Sequence, residues 1–468
     1  MKRRLFNDRD LDRIYRAAVR VLCEMGMKIE NRQCLEAMEK FGCRIDYPEE
    51  RALFSEEVID RMLRIVLSEH AGWQSAFSRM STAYVTGGGG TCPFYLDDDR
   101  GERRRADEAD CIKALKIVDT SPAVNCEVPV YNSDCPPGFE AIRCIQLGIE
   151  TLKNTTLGGM DLFFPEQVPF AVELGLLYRN DPKWFLPAGN CPTSPLIVGK
   201  TIADLAVAKA PYRVTYAVPT MPVMGANAPM TPVGAAVIGV AEILGGYALA
   251  KALSPETPVS SVALTALMDM KSGSMIYCAP EVFAADLAIV ETFEYYLHLP
   301  CRAHGLYVDA KLPGMRAVQE KLLRCLGLGI FANLSGLHGT LDQGKVFSPT
   351  QLMLDYDMHQ FLAAYTGGQE VNKDTLALET ILEVAWDKSG YLTCQHTLDH
   401  MRDAWHSTIF SKAHWVSMED ETEKEKQHLV RARALWQDNL AKYEPPEHSD
   451  DFLRELRKIC DRAKKVLS

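Results

Sequence analysis

The 468 residues contain no uninterrupted run of 18 apolar side chains, so no segment reads as a membrane span. The most apolar stretch, residues 233–253, is broken by Glu242 and internal glycines and reads as a buried helix. The opening MKRRLFNDRDLDRIYRAAVR lacks the apolar centre of a signal peptide. Fourteen cysteines occur without a Cys-x-x-Cys pair, and with no export signal they predict free thiols in a reducing cytoplasm. Cys126, Cys135 and Cys144 follow one another at intervals of nine, which reads as coincidence rather than a metal or redox site. No Gly-x-Gly-x-x-Gly follows a strand-like run and no complete Gly-x-x-x-x-Gly-Lys-Ser/Thr occurs, so a nucleotide-binding open sheet has little support. A Gly-x-Ser-x-Gly nucleophile elbow is also missing. Positive charge is in short supply: the formal net charge is −11, which argues against a nucleic-acid partner and against an anionic membrane surface.

What is present is a globular composition, 47% hydrophobic and 24% charged, enough for a large core. The N-terminal 80 residues read as a helical segment. Leu11, Ile14, Tyr15, Ala18, Val21 and Leu22 share one helix face, a second helix covers residues 33–41, and a third starts at an N-cap, Ser55. AYVTGGGGTCPFYLDDDRGERRRAD then reads as a hairpin with a glycine-rich connection. From about residue 107, apolar strand candidates (123–131, 154–160, 184–190, 213–219, 259–267, 301–308, 330–337) alternate with helical runs (139–152, 167–178, 198–209, 233–253, 282–298, 315–328). Thr231-Pro232 is a good helix start, with Thr as N-cap and Pro in the first turn. This alternation predicts an α/β fold, a closed (β/α)₈ barrel over residues 81–347, its eighth strand near 83–96. The N-terminal helices form an extension of that barrel, and residues 348–468 follow as a C-terminal helical region. Helices are expected at 351–365 and 375–386, with a charged tail from Glu419 and Trp386, Trp405 and Trp415 as packing anchors.

Chemistry in a barrel sits at the C-terminal strand ends. Those ends carry Tyr131-Asn132, Met160-Asp161, Asn190 with Thr193 and Ser194, Met224 to Asn227, Asp269, Tyr307 with Asp309 and Lys311, and His338 with Asp342. Aromatics, amides and small residues dominate, and no cluster of lysines or arginines suits a phosphate. One loop, MGANAPMTPVGA at 224–235, holds no acid, base or nucleophile. Metal ligands are weakly indicated. Cys301 and His304 are separated by an odd number on one strand and so face opposite ways, and His396 and His400 lack the Glu that a zinc protease needs beside its first His. No metal ligand set is assigned.

Four stretches carry a family resemblance: SPLIVGKTIADLAVAKAPYRVTYAVPTMPVMGANAPMTPVGAAVIGVAEILGGYALAKALSPETPV, GSMIYCAPEVFAADLA, YVDAKLPGMRAVQEKL and GGGGTCPFYLDDDRGERRRAD. Together they resemble the trimethylamine methyltransferase superfamily, in an ordered match from about Leu11 to His414. The resemblance implies a barrel that moves a methyl group from a methylated amine to the cobalt of a corrinoid (cobalamin-type) cofactor, carried by a separate cognate protein and not held tightly by this chain. The founding enzymes carry pyrrolysine at the barrel centre. This chain has only the twenty standard residues, and so resembles the branch that demethylates quaternary amines such as glycine betaine, proline betaine, carnitine and γ-butyrobetaine. A homo-oligomer in the cytoplasm is expected.

That chemistry suits a chargeless loop. A quaternary ammonium leaves as a neutral amine, no proton need move, and positioning is the enzyme's task. With no N–H to donate, the cation is held by ring faces and oxygens. Tyr131, Tyr307, Phe347, Phe94 and Tyr95 are the candidate rings, and Asp309 or Asp269 the counter-charge. Similarity to the betaine branch favours His338, as donor to a substrate carboxylate, and Phe347 as contacts. Met224, Gly225 and Asn227 are expected to form the wall beside the partner's cofactor. Two rival readings are a zinc-activated methyltransferase for a thiol or alcohol on a similar barrel, and a non-catalytic binding protein for small quaternary cations.

Overall fold

The computed structural model describes residues 4–73, 92–123, 125–305, 307–329, 333–335, 338–368, 370–387, 390–410 and 415–468. The glycine run at 87–90 and most of the expected 83–96 strand therefore lie outside the described residues.

The N-terminal helices form where local signals place them. Asn7, Asn31 and Ser55 cap Asp8–Glu24, Arg32–Lys40 and Glu56–Glu69, each side chain accepting a backbone N–H from the first turn. Their apolar faces bury Leu11, Leu22, Met38 and Met62 in one core with the long helix Pro232–Leu253. That helix is long and apolar enough to cross a membrane, yet most of it is buried inside the fold. Its two charges, Glu242 at the centre and Lys251 in the last turn, are satisfied internally. Glu242 accepts from Leu196 N (3.1 Å) and from the Thr220 hydroxyl, and Lys251 bonds Glu69 and the Thr257 carbonyl (2.7 Å). Gly246 lets a strand come close, since a Cβ there would lie 2.7 Å from Val218 Cγ2.

Strands and helices alternate as an α/β fold, and most parallel pairings fall into two series, or arcs, with Met27–Ile29 on Ile197–Val198 and Val223–Met224 on Ala266–Met268 lying outside them. In one, Val346–Phe347 pairs with Phe94–Asp97, Cys92 bridges to Val130, and Asn125–Cys126 pairs with Thr156–Leu157. In the other, Gly189 bridges to Ala217, Tyr216–Thr220 pairs with Val259–Ala263, that strand with Arg302–His304, and that with Asn333–Ser335. The expected strand at 184–190 contributes only the Gly189 bridge, because Trp184 and Leu186 are drawn into turns by N–H bonds to Asp181 and Lys183. Helices Pro137–Thr151, Val168–Arg179, Lys200–Lys209, Pro280–Glu291 and Met315–Gly329 fill the intervals, with a π-turn at Thr292–Tyr296.

Period-two burial tells the two strand faces apart. Tyr216, Val218, Val259 and Ala263 join the core shared with the helices. Ala217, Pro219, Ser260 and Val262, on the opposite face, are only half-buried. The charged segment after Glu419 is not a loose tail but two helices, Met418–Ala441 and Asp450–Leu467. Trp436 is buried there and donates Nε1–H to Thr350 Oγ1 at 3.1 Å. Trp415, expected as an anchor, is instead 67% exposed, while Trp405 meets Phe361 edge-on at 5.3 Å.

Candidate functional site

The C-terminal ends of these strands define a candidate mouth, with two ring-bearing segments as its walls. The first follows Arg302–His304. His304 shares the parity of the half-buried positions, whereas Cys301 sits in the helix-facing core, as their odd separation requires. His304 meets Tyr307 edge-on at 4.5 Å, and Tyr307 lies 5.3 Å from Tyr277. His304 Nδ1 is buried without a hydrogen-bond partner, and burial together with Arg324 depresses the imidazole to about 3, so it is neutral at physiological pH. Arg302 has the same parity but opens its strand at the N-terminal end, away from the mouth.

Buried ions hold this wall. Arg324 is fully buried; it donates to the carbonyls of Tyr277 and His304 (Nη2 to His304 O, 2.6 Å) and pairs with Asp286 at 3.1 Å. Asp309 accepts from Tyr277 N (2.9 Å) and Cys278 N (3.1 Å). Its own N–H goes to Glu320 Oε2 at 2.7 Å. Burial raises the Asp309 carboxyl, and the two N–H groups oppose that.

The second wall follows Asn125–Cys126 and Thr156–Leu157. Tyr131 and Phe163 face each other at 5.9 Å. Between them in sequence, Asp161 is exposed by its own surface, yet burial raises its carboxyl. Gly189, at the end of the facing segment, leaves open space: a Cβ there would meet nothing within 4 Å. Cys191 and Tyr307 are within electrostatic reach of Asp161, which ties this wall to the first. Sequence reasoning noted Asp161 at a strand end without assigning it, and passed over Tyr277 and Phe163 altogether.

The other expected residues are placed as follows. Tyr131 and Tyr307 are at the mouth, one on each wall. Phe347 and Tyr95 are fully buried on paired strands with rings 6.4 Å apart, and Arg103 covers Phe94 at 3.7 Å. His338 is buried beside Tyr356 (5.7 Å) and His359 (5.2 Å) of helix Pro349–Thr366. Its turn is held by Gly339 N–H on Asp355 (2.6 Å), itself paired with buried Lys321. Asp269 closes an exposed turn, accepting from Ser272 Oγ (2.6 Å) and Lys271 N (3.1 Å). Met224 is buried, and Asn227 Oδ1 accepts from Val223 N at 2.6 Å. Gly225 has φ +80°, where a side chain would be strained. The chargeless loop is thus a closed, self-bonded turn. Among the described residues no three of His, Cys, Asp and Glu gather as a metal-binding group. His396 and His400 lie 4.3 Å apart with tilted rings, and His400 is paired to Asp374 and Asp403.

The sequence matches the family model for trimethylamine methyltransferase over residues 2–136 and 189–468. The chain belongs to the trimethylamine methyltransferase family. It is a methyltransferase. It is 23% identical to a trimethylamine methyltransferase of Desulfitobacterium hafniense, over 87% of this chain and 84% of that one. It is also 23% identical to a glycine betaine methyltransferase of the same species, over 99% and 98% of the two chains. Among solved structures, the monomethylamine methyltransferase of Methanosarcina barkeri aligns over 98% of this chain and 93% of its own, at 12% identity and a TM-score of 0.48. The family match stops at 136 and resumes at 189, so the second wall's Asp161 and Phe163 fall in the unmatched stretch.

Proposed function

We propose that this methyltransferase takes a methyl group from a quaternary amine of betaine type and delivers it to Co(I) of a corrinoid carried by a partner protein. The site is the mouth of an eight-stranded barrel of which the two parallel arcs are parts. The observation that carries this reading is a mouth walled by Tyr277, Tyr307, Tyr131 and Phe163 in a chain of this family. The similarity to a glycine betaine methyltransferase along almost its whole length supports a quaternary amine.

A quaternary nitrogen cannot donate a hydrogen bond, so its burial is offset by ring faces, each contributing about 2 kcal/mol when desolvated. The methyl carbon–nitrogen bond breaks, nitrogen keeps the electron pair, and cobalt supplies the pair for the new bond to carbon. No proton is transferred. The residues fit that requirement: His304 is neutral, and Asp309 is committed to the N–H groups of Tyr277 and Cys278. The closed turn at Val223–Ala228, with Gly225 and Ala226 exposed, presents small residues to a flat macrocycle.

The test is incubation with cob(I)alamin or a corrinoid partner and a panel of glycine betaine, proline betaine, carnitine, γ-butyrobetaine and trimethylamine. Methyl-cobalt absorbance and one equivalent of demethylated amine are expected with at least one quaternary member. Absence of methylation across the panel beside a working corrinoid partner overturns the reading.

A further inference from the structure

Four carboxylates stand on or behind the two walls, and three are spent. Asp286 is paired with Arg324 and accepts Thr265 N–H at 2.6 Å. Asp309 holds the N–H groups of Tyr277 and Cys278. Glu320 accepts from Asp309 N (2.7 Å), Ala310 N (2.9 Å) and Arg316 (2.7 Å). Asp161 alone of the four makes no hydrogen bond and no ion pair with a described residue. Lys209, within electrostatic reach of it, is turned onto the Pro187 carbonyl (2.8 Å) and Asn190 Oδ1 (3.1 Å). An accessible carboxylate with no described cation in contact, and only Lys209 acting on it from a distance, is open to a cation from outside the chain. Besides Lys209, its neighbourhood supplies rings: Phe163 two residues on, Tyr131 tilted against Phe163, and Tyr307 within electrostatic reach.

We propose that Asp161 is the counter-charge for the substrate's cationic nitrogen and that it selects quaternary amines whose own anionic group, if any, lies several bonds from nitrogen. This rests on the quaternary-amine reading and deepens it. Attraction to the nitrogen and repulsion of a substrate carboxylate both fall as 1/r, so a carboxylate one methylene away cancels much of the attraction, and one three methylenes away cancels less. Asp161 lies in the stretch where the family match is interrupted.

The experiment is calorimetric titration of the full chain, wild type, D161N and D161E, with choline and with its uncharged isostere 3,3-dimethylbutan-1-ol. Wild type is expected to bind choline, D161N at least tenfold more weakly and D161E within about threefold, while the isostere binds all three alike. Wild type should also prefer γ-butyrobetaine to glycine betaine, with the ratio compressed in D161N. Circular dichroism checks each fold, and if D161N is unfolded the choline-to-isostere ratio in D161E decides. Unchanged choline binding by D161N, or an equal loss of choline and isostere, overturns the inference while leaving turnover by wild type, and hence the proposed function, standing. Wild type that binds no choline also overturns it, and only failure of the whole methylation panel removes the function as well.

Discussion

The two walls of the mouth are built by opposite means. The Tyr277–Tyr307 wall is pinned by a buried guanidinium and three committed carboxylates. The Tyr131–Phe163 wall has a ring pair and an unpaired Asp161. The first lies within the family match and the second partly outside it. A wall whose charges are used up internally can be kept rigid and shared across substrates. A wall that leaves a charge open can discriminate among them, and it can change without loosening the fold.

The largest effect expected from this contrast comes from cutting the pin. Arg324→Met leaves Asp286 buried without its cation and frees the carbonyls of Tyr277 and His304. Removing one partner of a buried pair costs about 3–5 kcal/mol. Denaturant unfolding should show that loss, whereas Asp161→Asn removes a carboxylate that burial disfavours and should leave stability unchanged or raise it. Equal losses in the two variants would erase the distinction between the walls.

A smaller effect separates the supports of the walls by pH. Glu140, on helix Pro137–Thr151 in the unmatched stretch, is half-buried without an ion pair among the described residues, and burial lifts its carboxyl to about 7. In the unfolded chain a Glu titrates near 4.3. The folded state therefore holds the proton more tightly. The stabilisation from this group is fully present below the unfolded value and is lost as pH rises through about 7. Its contribution to the slope is at most about 1.4 kcal/mol per pH unit. Melting curves between pH 4.5 and 7.5 should be flatter in Glu140→Gln than in wild type, and parallel curves would refute this.

Much of the framework could be read from local signals because their partners are close in sequence. Ser55 and Thr231 each accept an N–H three residues on, and Pro232 opens the long helix as expected. The two C-terminal helices were hidden by their charge. Their buried residues, Ala432 with Trp436 and Leu456 with Ile459, Cys460 and Ala463, recur at helical spacing inside a charged run that reads as solvated. The site was legible only in its residue types. Asp309 and Asp161 both stand at strand ends, and nothing local tells them apart. Asp309 is consumed by N–H groups 31 and 32 residues away, which only the tertiary fold supplies. His338 and Phe347 illustrate the same limit: a histidine between glycines and a ring at a strand end do not announce in sequence that Tyr356, His359 and Tyr95 pack beside them.

The smallest expected effect is the most discriminating for the second wall. Phe163 is 41% exposed and its ring is tilted against Tyr131 at 5.9 Å. A ring pair of this kind contributes about 0.5–1.5 kcal/mol beyond area burial. If that pair is a wall for a cation, Phe163→Ala should weaken choline binding by roughly two- to tenfold. It should do so with little change in melting temperature, since an exposed ring leaves a small cavity or none. If the pair is ordinary packing, the melting temperature should fall and choline affinity should hold. The two measurements move in opposite senses under the two readings, so even a modest shift tells whether the unmatched loop is built to bind or merely to fold.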